Sequence, residues 1–357
     1  MSIAMIPMIL LSLFLLAKKF YPLIGEIPDQ GKQKEYAAKT DLYHDKKFHN
    51  ERDFHMLTGP RQKESLRTKP TSRIPVQKIE NIERADADEM KITWLGHSST
   101  LVQMGDKNIL LDPVLGEYCS PVWLAMLKRF SDKALAVENV PDIDVVFISH
   151  DHYDHLDYET IKMIDHKVSH YVFPLGVDAI LKGWGVDQHK MHPLGWWESI
   201  ELEGIAYTLV PAQHSSFRNP MHAFATLWGG IYMKNDRHSL YFTGDCGYYD
   251  VFTRIYEFFG ETEVMLADSA QYNDAWALTH MTPEQSVQAA KDAHAKWLMP
   301  IHWGAFKLSS HDWDEPPRRA IKAAQEQGVS LATPRIGQTV DYDDISSFNE
   351  HWWQIFD

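Results

Sequence analysis

The sequence predicts one α/β domain in which helices cover packed sheets. Short apolar runs of strand character alternate with helical segments between about residues 85 and 345. Hydrophobic residues make up 44% of the 357 residues, which is enough for a sizeable core. We divide the chain into an apolar N-terminal segment (1–17), a mostly irregular polar arm (18–85) and this domain (86–357).

Each element is predicted from its own local signal. Gly105-Asp106 separates two apolar runs as a hairpin turn, and the run at 144–149 is continuously apolar, as in a buried strand. Thr282 and Pro283 begin a helix, and Gly328 ends another. Strands are predicted at 91–95, 101–104, 108–111, 144–149, 205–210, 229–233, 239–243 and 297–301, and helices at 158–164, 283–295 and 318–327.

The N-terminal segment is predicted to be a membrane anchor or an interfacial helix. Residues 3–17 are nearly all apolar, interrupted only by Pro7 and Ser12. At about 1.5 Å per residue the run spans roughly 22 Å, short of the roughly 30 Å hydrocarbon core. Lys18 and Lys19 follow it, so the positive-inside rule places the domain on the cytoplasmic side. The alternatives are a helix packed on the protein's own surface and a signal sequence.

Composition excludes some partners. The formal net charge is −14 and no block of Lys or Arg dominates, so nucleic acid is not an expected partner. The only cysteines, Cys119 and Cys246, cannot form a disulfide framework. We expect a small-molecule or lipid substrate, and the sequence does not indicate the oligomeric state.

The strongest chemical signal is the run from His150 to His155. It contains His150, His152, Asp154 and His155, and it directly follows the buried apolar strand at 144–149. Side chains two apart on an extended chain point the same way, so the first two histidines can bind one cation. Asp154 and His155 can face a second cation, and imidazole with carboxylate suits zinc.

Further ligands must come from distant segments. His214, Asp245 and His302 are single residues of metal-ligand type, and each follows an apolar run with strand character. Any one of them could instead be structural, but their common placement at strand ends favours all three together. The set predicts a metal-dependent hydrolase with two cations.

These residues resemble the metallo-β-lactamase superfamily, at 150–155, Gly244-Asp245 and His302. Within it, the chain is most similar to the branch of N-acylphosphatidylethanolamine-hydrolysing phospholipase D. The resemblance covers roughly residues 90–310. The local matches to this branch are 94–97, 111–113, 150–157, 196–198 and 301–306.

The resemblance implies an αββα four-layer sandwich with two zinc ions at one edge of the sheets. It implies that His150, His152 and His214 hold the first zinc, that Asp154, His155 and His302 hold the second, and that Asp245 bridges them. A hydroxide between two cations about 3.5–4 Å apart would attack a phosphoryl or carbonyl centre. Asp154, Asp245 and His280 are therefore the candidate catalytic residues.

Three more residues have two interpretations each. Asp112 either orients a ligand histidine or is a turn residue before Pro113. His280 resembles a histidine near the branch's active site and would act as a general acid or hold substrate, or it is an ordinary loop residue. His97 is expected near the metal ligands or in a structural role.

Hydrolysis of a phosphodiester, of N-acylphosphatidylethanolamine or a related phospholipid, is the favoured function. One departure from the branch argues against a phospholipid substrate. Tyr272 matches, but the Glu-Pro-Arg-Trp of the branch is Asn-Asp-Ala-Trp at 273–276, so the Arg and the phosphate contact it could make are lost. The alternatives are a lactonase or other ester hydrolase, and a non-catalytic, membrane-associated metal-binding protein. The native metal could also be a divalent ion other than zinc.

Overall fold

The computed structural model describes residues 22–53, 63–120 and 127–356. The predicted membrane anchor at 1–17 lies outside these residues. Within the three described ranges, no helix is both long enough and apolar enough to cross a membrane.

Two sheets face each other at the centre of the molecule. The ring of Phe147 in the first sheet meets that of Phe242 in the second, with centroids 6.1 Å apart. The first sheet has seven strands, in spatial order β15 (Thr339–Asp341), β3 (Met90–Trp94), β4 (Thr100–Met104), β5 (Lys107–Leu111), β6 (Ile143–Phe147), β7 (Val168–Pro174) and β8 (Met191–Leu194). The second has six, in the order β14 (Ala295–Ile301), β13 (Thr262–Asp268), β12 (Ser239–Phe242), β11 (Gly230–Lys234), β10 (Ile205–Val210) and β9 (Ser199–Leu202).

Strand direction gathers the predicted site at one edge. In the first sheet β5 and β6 are parallel, and β3 runs with them because two antiparallel pairings separate it from β5. In the second sheet β12, β13 and β14 are parallel, and β10 runs with them for the same reason. The carboxyl ends of these strands therefore lie along one edge of each sheet.

Helices cover the outer faces, which completes the αββα sandwich. Thr282 caps the helix that starts at Pro283: its hydroxyl accepts from Gln285 N while the Gln285 side chain accepts from Thr282 N. The helices of the domain are α2 (Tyr158–Ile164), α3 (Val177–Gly183), α4 (Val251–Phe259), α5 (Pro283–Asp292) and α6 (Glu315–Gln327).

The polar arm is more regular than its sequence predicts. It holds helix α1 (Gln30–Lys39), and Tyr43–His44 (β1) pairs with Lys47–Phe48 (β2) in a hairpin. The rings of Tyr36, Tyr43 and Phe48 contact one another and are all buried. Tyr36 is the single buried residue of its helix, so the helix carries no apolar period in the sequence.

Candidate metal centre

The structure brings all seven predicted ligands together at the shared sheet edge. The run at 150–155 follows β6, His214 follows β10, Asp245 follows β12 and His302 follows β14. His150 and His152 lie in irregular chain, a turn follows at 153–155, and the rings of His150 and His152 lie 4.4 Å apart.

The side chains form two adjoining groups whose nitrogen and oxygen atoms lie within 4.8 Å of one another. We call them the first and the second cluster. His97, which was not predicted as a ligand, belongs to the second cluster together with three predicted ligands. The first cluster consists of His150, His152, His214 and Asp245, and the second of His97, Asp154, His155 and His302.

Asp245 lies between the two clusters. Its Oδ2 is 3.7 Å from His214 Nε2 and 3.8 Å from His150 Nε2 in the first cluster. The same oxygen is 3.1 Å from His155 Nε2 in the second, and Oδ1 is 3.3 Å from His302 Nδ1. This placement suits a carboxylate shared between two cations.

Hydrogen bonds fix which nitrogen of each ring is free for a cation. His155 Nδ1 is 2.7 Å from Asp112 Oδ2 and His214 Nδ1 is 3.1 Å from the carbonyl of Thr279. These oxygens accept, so both histidines carry a proton on Nδ1 and turn Nε2 into the site. His214 Nε2 lies 3.3 Å from His152 Nδ1, a separation that two ligands of one cation would have.

The site also contains buried polar atoms that lack a protein partner. Among the described residues, His150 Nε2, His155 Nε2, His302 Nε2 and Asp245 Oδ1 are buried without a hydrogen bond. An unpaired buried polar atom costs about 1–3 kcal/mol, so several such atoms converging on one place need a ligand. Imidazole nitrogens and a carboxylate fit a divalent transition metal.

The pKa directions agree with cation binding. Burial lowers the pKa of His150, His214 and His302 well below 6.5, which keeps the rings neutral, as metal ligation requires. Burial also disfavours charge on His155, but the Asp245, Asp154 and Asp112 carboxylates outweigh it and raise its pKa well above 6.5. The second cluster is therefore a place where positive charge is stabilised.

Asp112 lies where a residue that orients the ligand histidines would be needed. Its Oδ2 accepts from His155 Nδ1 and, at 2.5 Å, from the Ser149 hydroxyl, and its Oδ1 accepts from Ser149 N. The Ser149 oxygen in turn lies 2.9 Å from His150 Nδ1. One carboxylate thus orients a histidine in each cluster, from a backbone with φ of +40° that costs about 1–3 kcal/mol.

His97 is fully buried against the second cluster. Its Nε2 lies 2.8 Å from Asp154 Oδ2, and burial lowers its pKa, so a neutral ring donates to that carboxylate. Its main chain pairs with the far sheet, since His97 N donates to Trp303 O and His302 N donates to His97 O. Ser98 Oγ lies 2.9 Å from His302 Nδ1, so the loop after β3 holds the loop after β14.

His280 reaches the site from the loop before α5. Its Nδ1 is 2.9 Å from Asp268 Oδ2 and 4.0 Å from Asp245 Oδ2. Burial lowers the pKa of His280, but these two carboxylates outweigh it and raise the pKa to about 8. Burial raises the pKa of Asp268 to about 6. His280 can thus hold a proton beside the clusters.

Sequence reasoning missed several residues of the site, among them Asp268, Ser149 and Asn50. Asp268 ends the apolar strand β13 and shows the same strand-end signal as Asp245, so it could have been found. Ser149 is an ordinary small residue before His150 and gives no signal. Asn50 lies in the arm, 164 residues before its partner His214, and local sequence carries no trace of that contact.

The fold and the site define a metal-dependent hydrolase. A family profile described as a beta-lactamase superfamily domain matches residues 107–303, more than half of the chain. The chain belongs to the metallo-β-lactamase superfamily and, within it, to the branch that includes N-acyl-phosphatidylethanolamine-hydrolysing phospholipase D.

Two relatives illustrate this membership. An uncharacterized protein of Mycobacterium tuberculosis is 35% identical over 292 residues, covering 81% of this chain and 78% of its own. The N-acyl-phosphatidylethanolamine-hydrolyzing phospholipase D 1 of Caenorhabditis elegans is 30% identical over 287 residues, covering 77% of this chain and 80% of its own.

Solved structures show the same fold. The metallo hydrolase Igni18 of Ignicoccus hospitalis superposes with a TM-score of 0.56 at 20% identity, covering 71% of this chain and 98% of its own. An isothiocyanate hydrolase from Delia radicum gut bacteria superposes with a TM-score of 0.55 at 18% identity, covering 70% of this chain and 98% of its own. At these identities the likeness concerns the fold alone.

Proposed function

We propose that the protein is a zinc-dependent phosphodiesterase that hydrolyses N-acylphosphatidylethanolamine or a related phospholipid. The observation that carries the proposal is one pair of clusters sharing Asp245, in a chain 30% identical to the worm phospholipase D. His150, His152 and His214 would hold one zinc, Asp154, His155 and His302 the other. The two cations would lower the pKa of a water between them and neutralise charge on the attacked group.

The chain's own residues would supply position and a proton. Asp112 and Ser149 hold His150 and His155 with their Nε2 lone pairs turned inward. His280, paired with Asp268, would give its proton to the oxygen that leaves phosphorus. A ligand set without a lost member argues against a non-catalytic metal-binding protein.

The region of the lost Arg does not supply a replacement phosphate contact. Asn273 Oδ1 accepts from Ala275 N and Asn273 Nδ2 donates to Ser310, so this segment is turned into its own loop. The Tyr272 hydroxyl donates to Glu315. A lactone or another ester, which needs no phosphate contact, is therefore the second candidate.

A substrate panel tests this choice. The full-length zinc protein is offered bis(p-nitrophenyl) phosphate, N-acylphosphatidylethanolamine and a set of lactones, with His150→Ala as the matched blank. We expect phosphatidic acid and N-acylethanolamine from the lipid, with ¹⁸O from labelled water in the phosphatidic acid. Lactone turnover far above phosphodiester turnover would overturn the phosphodiesterase proposal and leave the metal site standing.

Membrane association through residues 1–17 is part of the proposal, because the substrate is a membrane lipid. Deleting these residues should move the protein from the membrane pellet to the supernatant while its zinc content stays the same. Full-length protein found entirely in the supernatant would refute the anchor. A protease added to sealed spheroplasts tests whether the domain faces the cytoplasm, since a cytoplasmic domain would be protected.

A further inference from the structure

We propose that Asn50, in the N-terminal arm, is a positioning residue for the first metal cluster. It acts through His214, whose main chain it holds. The inference rests on cation binding as proposed above, but it does not depend on which bond the enzyme hydrolyses.

A single side-chain amide satisfies both main-chain groups of His214. The Asn50 Oδ1 atom accepts from His214 N at 3.1 Å, and Asn50 Nδ2 donates to His214 O at 2.8 Å. His214 lies outside strands and helices, so no neighbouring strand makes these two bonds. Buried main-chain groups need partners, and His214 is only 2% exposed. Asn50 thus makes the two main-chain hydrogen bonds that a neighbouring strand would otherwise make.

Asn50 is itself held by the domain. Its Oδ1 also accepts from the indole nitrogen of the buried Trp228 at 3.2 Å, and that nitrogen donates to Ala212 O. Two residues earlier, Phe48 N donates to Phe224 O. The amide therefore has one orientation, in which oxygen faces N–H groups and nitrogen faces a carbonyl.

By fixing the main chain of His214, Asn50 also affects the geometry of the first cluster. Thr279 O fixes the ring at Nδ1 and Asn50 fixes the main chain, which together set where Nε2 lies. That atom is 3.3 Å from His152 Nδ1 and 3.7 Å from Asp245 Oδ2. A shift of His214 would change both distances and weaken the first cluster.

The test compares three variants of the full-length zinc protein. Asn50→Asp keeps the shape and the Oδ1 acceptor but turns a carboxylate oxygen toward the His214 carbonyl. Trp228→Phe keeps an aromatic ring and removes the indole N–H that donates to Asn50. Arg52→Ala is the control, because it removes the exposed ion pair with Asp250 two residues along the same arm.

Zinc affinity is measured by chelator competition, and cobalt spectra report the geometry of each site. We expect Asn50→Asp to lower the affinity of one of two zinc ions by about 10–100-fold. Trp228→Phe should have a smaller effect in the same direction and Arg52→Ala none, with circular dichroism unchanged in all three. Two zinc ions bound at wild-type affinity by Asn50→Asp, or equal losses in Arg52→Ala, would overturn the inference.

These readouts separate the inference from the substrate proposal. A protein that binds two zinc ions, hydrolyses only lactones and loses one zinc ion in Asn50→Asp would refute the phosphodiesterase and support the role of Asn50. Wild-type zinc affinity in Asn50→Asp together with phosphodiester turnover would support the phosphodiesterase and refute the role of Asn50.

Discussion

The two clusters are built from similar side chains but are held in different ways. In the second, a carboxyl and a hydroxyl group from loops of the first sheet bond the ligands directly: Asp112 holds His155, and Ser98 holds His302. In the first, His214 is held by an arm that the sequence places outside the domain. The second cluster is thus positioned by the αββα sandwich alone, whereas the first also needs the N-terminal arm.

This difference shows that a ligand set does not reveal what holds it. Both clusters follow strand ends, and both share Asp245. Only the contacts beneath the ligands tell which part of the chain each cluster depends on. Four substitutions test whether the two clusters depend on different parts of the chain.

Asp245→Asn should affect both clusters at once. The amide keeps the shape but loses the negative charge that faces His155, His214 and His302. Turnover should fall by at least about 10³-fold, since metal ions supply several kcal/mol and each 1.36 kcal/mol is tenfold. Asp250→Asn, on an exposed residue nearby, is the control for both zinc content and turnover. Near-wild-type turnover in Asp245→Asn would contradict a shared carboxylate.

His280→Ala should separate chemistry from metal binding. A lost proton donor typically lowers the rate by about 10²–10⁴-fold, and neither cluster should lose its zinc. The measurement is kcat for the hydrolysed substrate beside the zinc content of the same sample, with the exposed His189→Ala as control. Loss of zinc in step with the rate would make His280 a ligand instead.

Asp112→Asn should weaken the second cluster chiefly, because Asp112 contacts His155 directly and His150 only through Ser149. We expect about 10–100-fold lower affinity for one zinc ion. Asp144→Asn, whose carboxylate pairs with Arg84 at 2.6 Å, is the matched control. Cobalt spectra would identify the cluster, and a change confined to the first would reverse our assignment.

Ser98→Ala should give the smallest effect. It removes one hydroxyl bonded to His302 while Asp245 Oδ1 stays 3.3 Å from the same ring. A neutral hydrogen bond contributes about 1 kcal/mol, so zinc affinity should fall roughly fivefold. Ser347→Ala, on an exposed serine, should change nothing. A loss as large as that in Asp112→Asn would mean that Ser98 is the main support of the second cluster.

Local sequence was enough for the strands that precede the candidate ligands, but not for β13, which ends at Asp268. The predicted strands at 101–104, 108–111 and 205–210 coincide with β4, β5 and β10, because each has a clear apolar pattern. Strands β7 and β8 were not predicted. His170 and His192 interrupt their patterns, and Pro193 lies within β8.

The seven candidate ligands could be named because each follows a strand, and Asp112 was already a candidate for orienting a ligand histidine, but Ser149 and Asn50 were not. Ser149 links His150 to Asp112, which lies 37 residues earlier, and Asn50 bonds His214 across 164 residues, so both contacts exist only in the folded chain. The interpretation of 18–85 as mostly irregular did not include α1 or the β1–β2 hairpin, for the same reason. Its aromatic residues pack with one another and with the domain. No hydrophobic periodicity in the sequence predicts this packing.

The contact between Asn50 and His214 has a consequence for the arm itself. Linkage is reciprocal. If the docked arm raises the cation affinity of the first cluster, a bound cation must stabilise the docked arm by the same free energy. Amide hydrogens of α1 and of the β1–β2 hairpin should then exchange more slowly as zinc is titrated in, although none of these residues touches a ligand. Zinc availability would set how firmly the N-terminal part of the chain is attached.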